Sequence, residues 1–368
     1  MNTSNSSSVP ERLLSLDFFR GATMFLLIAE FTHLFSHLYD PSLEGSVIYV
    51  IAEQFHHHPW NGLRFWDLIQ PFFMFIVGVA MPFSFANRKK RGHTHAQITR
   101  HVIKRALLLL FFGWALYCID PGKIEFRFQN VLAQLSVTYI LAYLVMKKPA
   151  RWQIIFSFLL LAITEVIYRT FPVEGFNHPF VANENFGTWL DLQYGGADLH
   201  GHWVSFNAIP TTAHTIWGVL AGQVLISKRK ASQKLKILII AGVIGVVAGY
   251  ALNPITPIIK RISTSSFVIV SGGWALLALA FSYWLIDMRK RYKWSLFFRI
   301  VGLNPLFIYI FAHVGGAMFI ENIVHPFSFL LFGWMGTLTA SILTSAVVLF
   351  LLWYICYWMN KQKIYIRI

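Results

Sequence analysis

The chain has 368 residues, of which 56% are hydrophobic, 17% aromatic and 13% charged, and its mean hydropathy is +0.55. A soluble domain carries about 25% charged residues, so this composition excludes soluble, disordered, collagenous and disulfide-stapled chains. The net charge of +15 fits the basic inner loops of a membrane protein and does not require a nucleic-acid partner.

A hydrocarbon core about 30 Å thick takes about 20 apolar residues per helix. Ten stretches qualify, over 14–36, 66–86, 103–119, 130–147, 152–170, 208–227, 237–252, 266–287, 296–318 and 333–359. The predicted fold class is an all-α membrane protein, a polytopic bundle of about ten transmembrane helices forming one domain over 1–368. The first stretch is too long for a signal-peptide core and contains Asp17 and Arg20, so it reads as a span.

Basic residues alternate between the two sides. Arg88 to Arg91, Lys147, Lys148, Arg151, Lys228 to Lys230 and Arg289 to Arg291 share one set of loops with both termini. That set holds about 24 of the 31 Lys and Arg, against about six on the other side, which predicts a cytoplasmic basic face and cytoplasmic termini. Most histidines fall on the opposite side. Two long outer loops follow, 37–65 and 171–207, the second rich in Trp, Asn, Gly and His. Cys118 and Cys356 fall toward opposite faces, which argues against pairing and leaves no cysteine metal site.

Ionisable groups inside spans face a cavity or a partner. Asp17 and Arg20 share a face of the first helix, as do Glu30 and His33 further out. Asp67 opens the second span, Lys260 and Arg261 precede the eighth, and Asn304 before Pro305 marks a broken helix in the ninth. The densest cluster is His56-His57-His58-Pro59-Trp60-Asn61-Gly62. Adjacent histidines rarely converge on one ion, so no metal is expected; the readings are a solvated loop or a catalytic histidine acting as base or acyl acceptor. Asp67 lies within reach to orient an imidazole.

The run Arg12-Leu-Leu-Ser15-Leu-Asp17-Phe-Phe-Arg20-Gly21 resembles the first-helix signature of transmembrane acyltransferases. His57, Trp60-Asn61-Gly62, Asp67-Leu68 and Pro71 to Gly78 resemble the heparan-α-glucosaminide N-acetyltransferase family. Pro210 with Gly218 to Gly222, Lys260 with Thr264-Ser265-Ser266, and Gly302-Leu303-Asn304-Pro305 are similar to later segments of that family, in order. The chain departs from the pattern at Glu30-Phe31, where the family tends to have Asn, and at Leu132 to Ser136, where its arginine is missing.

The resemblance implies a bacterial-type member without the large luminal domain of the animal enzyme, in the bacterial inner membrane. It implies transfer of acetyl from cytoplasmic acetyl-CoA to an amino sugar or glycan on the outer side. His57, Asp67 and Asn61 are then the catalytic candidates. Trp60, Glu30, His33, Lys260, Ser265 and Asn304 are acceptor-side candidates, and Asp17 and Arg20 are donor-side ones. The lipid bilayer and a second copy of the chain complete the expected partners. A transporter of amino sugars or related solutes is the alternative; inverted repeats would favour it, and none is visible.

Overall fold

The computed structural model describes residues 13–119 and 121–366; Arg12, where the first-helix motif opens, lies outside the described residues. Ten principal helices carry the fold: α1 (Leu14–Glu30), α2 (Phe65–Lys90), α3 (His95–Ile119), α4 (Val131–Val145), α5 (Ala150–Thr170), α6 (Ala208–Ile226), α7 (Ala231–Leu252), α8 (Ser265–Met288), α9 (Pro305–Met335) and α10 (Thr337–Lys361). Each predicted span falls on one of them. The chain is a polytopic helical membrane protein. Seven of the ten, α2, α3, α5 and α7 to α10, are long and apolar enough to cross a bilayer. The three that fall short are α1 with 17 residues, α4 with 15, and α6 with 19, whose face carries Thr211, Thr212, His214, Thr215 and Gln223. Their buried polar side chains face other helices, so they do not need full hydrophobic length.

Four spans differ from expectation. The first, predicted over 14–36, stops at Glu30, because His33 adopts a left-handed conformation (φ 58°) and a short helix restarts at Leu34. The ninth, predicted over 296–318, is split. A short helix, Leu296–Val301, ends before Asn304 (φ −127°, ψ 50°), and Pro305 begins α9 with its ring at a position where no amide donor is needed. From there α9 stays helical through 319–332, read as a connection, until Gly336 (φ 97°) ends it. The third and seventh helices begin earlier than expected, at His95 and Ala231.

Small residues bring α2 and α6 into contact. A Cβ at Gly78 would strike the Thr215 carbonyl, and one at Gly218 the Phe75 carbonyl. Without a hydrophobic drive between helices in lipid, such close backbone approach is the main source of packing. α1 packs between α2 and the Leu296–Val301 helix, burying Phe19 against Phe72 and Phe18 against Phe298. This central position makes α1 the axis along which the cavities run.

Candidate active site

The turn from Phe55 to Leu68 is tied together by backbone hydrogen bonds. Trp66 N donates to the Gln54 carbonyl at 2.8 Å, and Gly62 N donates to the Ile258 carbonyl at 2.9 Å. Asn61 pairs with Ile259 in an antiparallel bridge. That two-residue pairing brings Lys260 to His57 across 203 positions of sequence. Gly62 has φ +154°, and a Cβ there would run into the His58 ring, so glycine lets the turn close.

Asp67 is the hub. Its side chain is 1% exposed. Oδ2 accepts from Arg64 N at 2.9 Å and His58 N at 3.2 Å, while Oδ1 lies 3.0 Å from His57 Nδ1 and 3.6 Å from Lys260 Nζ. Arg64 donates to the His57 carbonyl at 3.1 Å and to Glu53 Oε1 at 2.5 Å. His57 is therefore held by its backbone and by its ring.

His57 Nδ1 also lies 3.0 Å from Lys260 Nζ. In one tautomer Nδ1–H donates to Asp67 and leaves Nε2 with a lone pair; in the other Lys260 donates to Nδ1 and Nε2 carries the proton. Burial first, and the Lys260 cation second, lower the His57 pKa to about 4 against the opposing pull of Asp67. Burial likewise lowers Lys260 to about 8, against the pull of Asp67 and Glu30. At neutral pH the pair is a neutral imidazole beside an ammonium.

Two cavities meet along α1. One, of about 190 Å³, is lined by Glu30, His57, Trp66, Gln70, Gln129, Trp203 and Lys260 among others. The other, of about 360 Å³, is lined by Asp17, Arg20, Met24 and Arg105 and by Pro305. Leu27, Phe73, Val131 and Tyr309 line both, so the two abut. From Asp17 to Glu30 is 13 residues of helix, about 20 Å at 1.5 Å per residue. The His57 turn and the Arg88 to Arg91 cluster sit at opposite ends of α2.

The structure gathers some of the sequence candidates and disperses others. His57, Glu30 and Lys260 line the smaller cavity with Asp67 behind them, and Asp17 and Arg20 line the larger. Trp66 Nε1 donates to Glu30 Oε1 at 3.2 Å. Asn61 contributes its backbone bridge and is otherwise exposed. Trp60 donates from Nε1 to the Phe180 carbonyl at 2.8 Å, stapling the 37–65 and 171–207 loops together. Ser265 Oγ donates to Glu165 at 3.1 Å, joining α8 to α5. Asn304 is fully buried and spends its amide on the C-terminal backbone at Ile364 and Ile366. His33 is exposed, with its ring tilted against His37 at 6.4 Å.

Arg105, Gln70, Gln129 and Tyr309 were not singled out from the sequence. Arg105 gives a usable signal, a cation inside an apolar helix; the others look like ordinary helix residues. Among the described residues no group of three His, Cys, Asp or Glu is placed to hold a metal.

The family model for heparan-alpha-glucosaminide N-acetyltransferase, catalytic, matches residues 12–248. The chain belongs to the heparan-α-glucosaminide N-acetyltransferase family. The Homo sapiens protein named heparan-alpha-glucosaminide N-acetyltransferase is 31% identical over 138 residues, covering 36% of this chain and 19% of that protein. The Mus musculus protein of the same name is 33% identical over 90 residues, covering 23% and 14%. The chain thus matches a fifth or less of the length of these curated relatives. The segment shared with the heparan-α-glucosaminide N-acetyltransferase family includes His57 and Asp67, whereas Lys260 lies beyond residue 248.

Proposed function

We propose that the chain is a transmembrane acetyltransferase that takes acetyl from acetyl-CoA at the basic face and passes it to an amino sugar or related glycan at the His57 face. The observation that carries this reading is the pair of abutting cavities, with Arg20 and Arg105 on one and the His57–Asp67–Lys260 cluster on the other. A narrow, largely apolar passage ended by guanidinium groups suits an extended pantetheine arm with phosphates at its mouth. The names of the relatives support an acetyl donor and a glucosaminide acceptor.

In this mechanism Asp67 accepts from His57 Nδ1–H and fixes the tautomer that leaves Nε2 unprotonated. His57 Nε2 removes the proton from the attacking amine, or carries the acetyl group in transit. Lys260, an ammonium at neutral pH, stabilises the negative charge that develops on the thioester oxygen. Glu30 in the same cavity attracts the acceptor as an ammonium, which gives up one proton to water before the neutral amine attacks. The thiol of CoA leaves with one proton, and the acetyl group ends on the acceptor nitrogen.

The test is acetyl-CoA turnover with glucosamine by purified protein and by His56→Ala, His57→Ala and His58→Ala variants. His57→Ala is expected to lose at least about 10²-fold in rate, with the neighbours near wild type. Normal activity in His57→Ala with loss in a neighbour would reassign the catalytic histidine.

A further inference from the structure

Gln129 is 4% exposed and lines the His57 cavity. Its amide nitrogen carries two hydrogens, and both are used: Nε2 donates to Asp191 Oδ2 at 2.9 Å and to the Gly196 carbonyl at 2.5 Å. Both partners are acceptors, so turning the amide round would set its oxygen against a carboxylate and a carbonyl. The orientation is therefore fixed. What Gln129 has left is Oε1, a buried acceptor with no hydrogen-bond partner among the described residues. Buried polar atoms are ordinarily satisfied, and this one belongs to a residue that lines the cavity.

Asp191 is fully buried and holds more than Gln129. It accepts from Tyr194 OH at 2.5 Å, from Ser205 N at 2.9 Å and from the Ser205 hydroxyl. Ser205 stands two residues after Trp203. The Trp203 ring meets His57 edge to face at 5.4 Å and lies under the Lys260 ammonium at 5.3 Å. One carboxylate thus anchors both an orphaned acceptor and the aromatic wall beside the histidine.

We propose that Gln129, held by Asp191, and Trp203, two residues before the Ser205 that Asp191 also holds, form the acceptor subsite, taking a saccharide whose hydroxyl or N–H donates to Gln129 Oε1 while its apolar C–H face lies on the Trp203 ring. This assignment rests on the acetyltransferase reading above. Asp191 is a positioning residue. A pyranose ring offers both chemistries at once, a row of C–H bonds on one face and hydroxyl donors at its rim. The amide N–H of a pantetheine arm offers Gln129 the same donor, so donor and acceptor must be varied separately.

Initial rates with acetyl-CoA and with glucosamine varied in turn decide between them, in wild type, Gln129→Met, Asp191→Asn and Trp203→Phe. Gln129→Met keeps the volume and removes the acceptor atom together with the two donations to Asp191 and Gly196, the first of which Asp191→Asn weakens while leaving Oε1 in place. It is expected to raise KM for glucosamine about tenfold or more, with kcat and KM for acetyl-CoA within about twofold. Asp191→Asn should act in the same direction, and Trp203→Phe more weakly. An unchanged glucosamine KM in an active Gln129→Met enzyme would overturn the subsite, as would a rise confined to acetyl-CoA. Should wild type transfer no acetyl at all, the activity falls, and calorimetric titration with glucosamine alone judges the subsite. Binding to wild type and not to Gln129→Met sustains it; binding to neither, or equally to both, overturns it.

Discussion

A histidine buried beside a lysine ammonium resists protonation even with a carboxylate at 3.0 Å, and His57 is in that position. Its pKa lies near 4 instead of 6.5, so the ring is neutral across the physiological range and takes a proton only in acid. Lys260, lowered to about 8, is protonated at pH 7 and loses its charge above that. The rate should therefore fall on the acid side near pH 4 and on the alkaline side near pH 8. A profile of kcat/KM against pH, which reports groups of the free enzyme, measures both limbs. Lys260→Arg keeps the cation at high pH and should move the alkaline limb upward; an alkaline limb that stays at 8 in this variant would belong to another group. Asp67→Asn keeps the hub's shape but leaves Nδ1 facing an amide whose donor and acceptor can exchange. It should cost on the order of 10²–10⁴-fold in kcat with CoA binding retained, and full activity would make Asp67 purely structural.

At the scale of elements, the passage along α1 is walled by α2, α3, α4 and α9, and α6 backs α2 through the Gly78 and Gly218 contacts. Gly218→Val would push its side chain into the Phe75 carbonyl. Overpacking of this kind costs about 1–3 kcal/mol, so the variant should melt at lower temperature in detergent while the isolated chemistry of the His57 turn is unaltered. The same scale shows why part of the site was readable and part was not. His57 and Asp67 are ten residues apart, and the turn between them carries Pro59 and Gly62, so their meeting follows from local spacing. Asn304 before Pro305 announced the break before α9, because proline removes a donor and restricts its predecessor. Lys260 was visible as a polar residue before a span, but its contact with His57 depends on the Asn61–Ile259 bridge, which no short-range pattern encodes. Gln129 looks like any residue before a helix until Asp191, 62 positions away, takes its amide hydrogens. The overrun of α9 was missed because 319–332 is as apolar as a span while Glu321, His325 and Pro326 resemble a connection.

For the whole molecule the central claim is vectorial: donor at the basic end of α2, acceptor at the His57 end, with the two abutting cavities between them. A transporter would use the same passage but move its solute unchanged. Proteoliposomes separate the two. Their orientation is set by an impermeant thiol reagent on a Lys90→Cys protein in which Cys118 and Cys356 are replaced by serine. Labelled acetyl-CoA is supplied on the side of residue 90 and glucosamine on the other. The account predicts that labelled acetyl appears on glucosamine in the far compartment, that supplying acetyl-CoA on the His57 side gives none, and that His57→Ala abolishes transfer. Unmodified glucosamine crossing the vesicle wall with no acetyl transferred, or transfer only with acetyl-CoA on the His57 side, would contradict it.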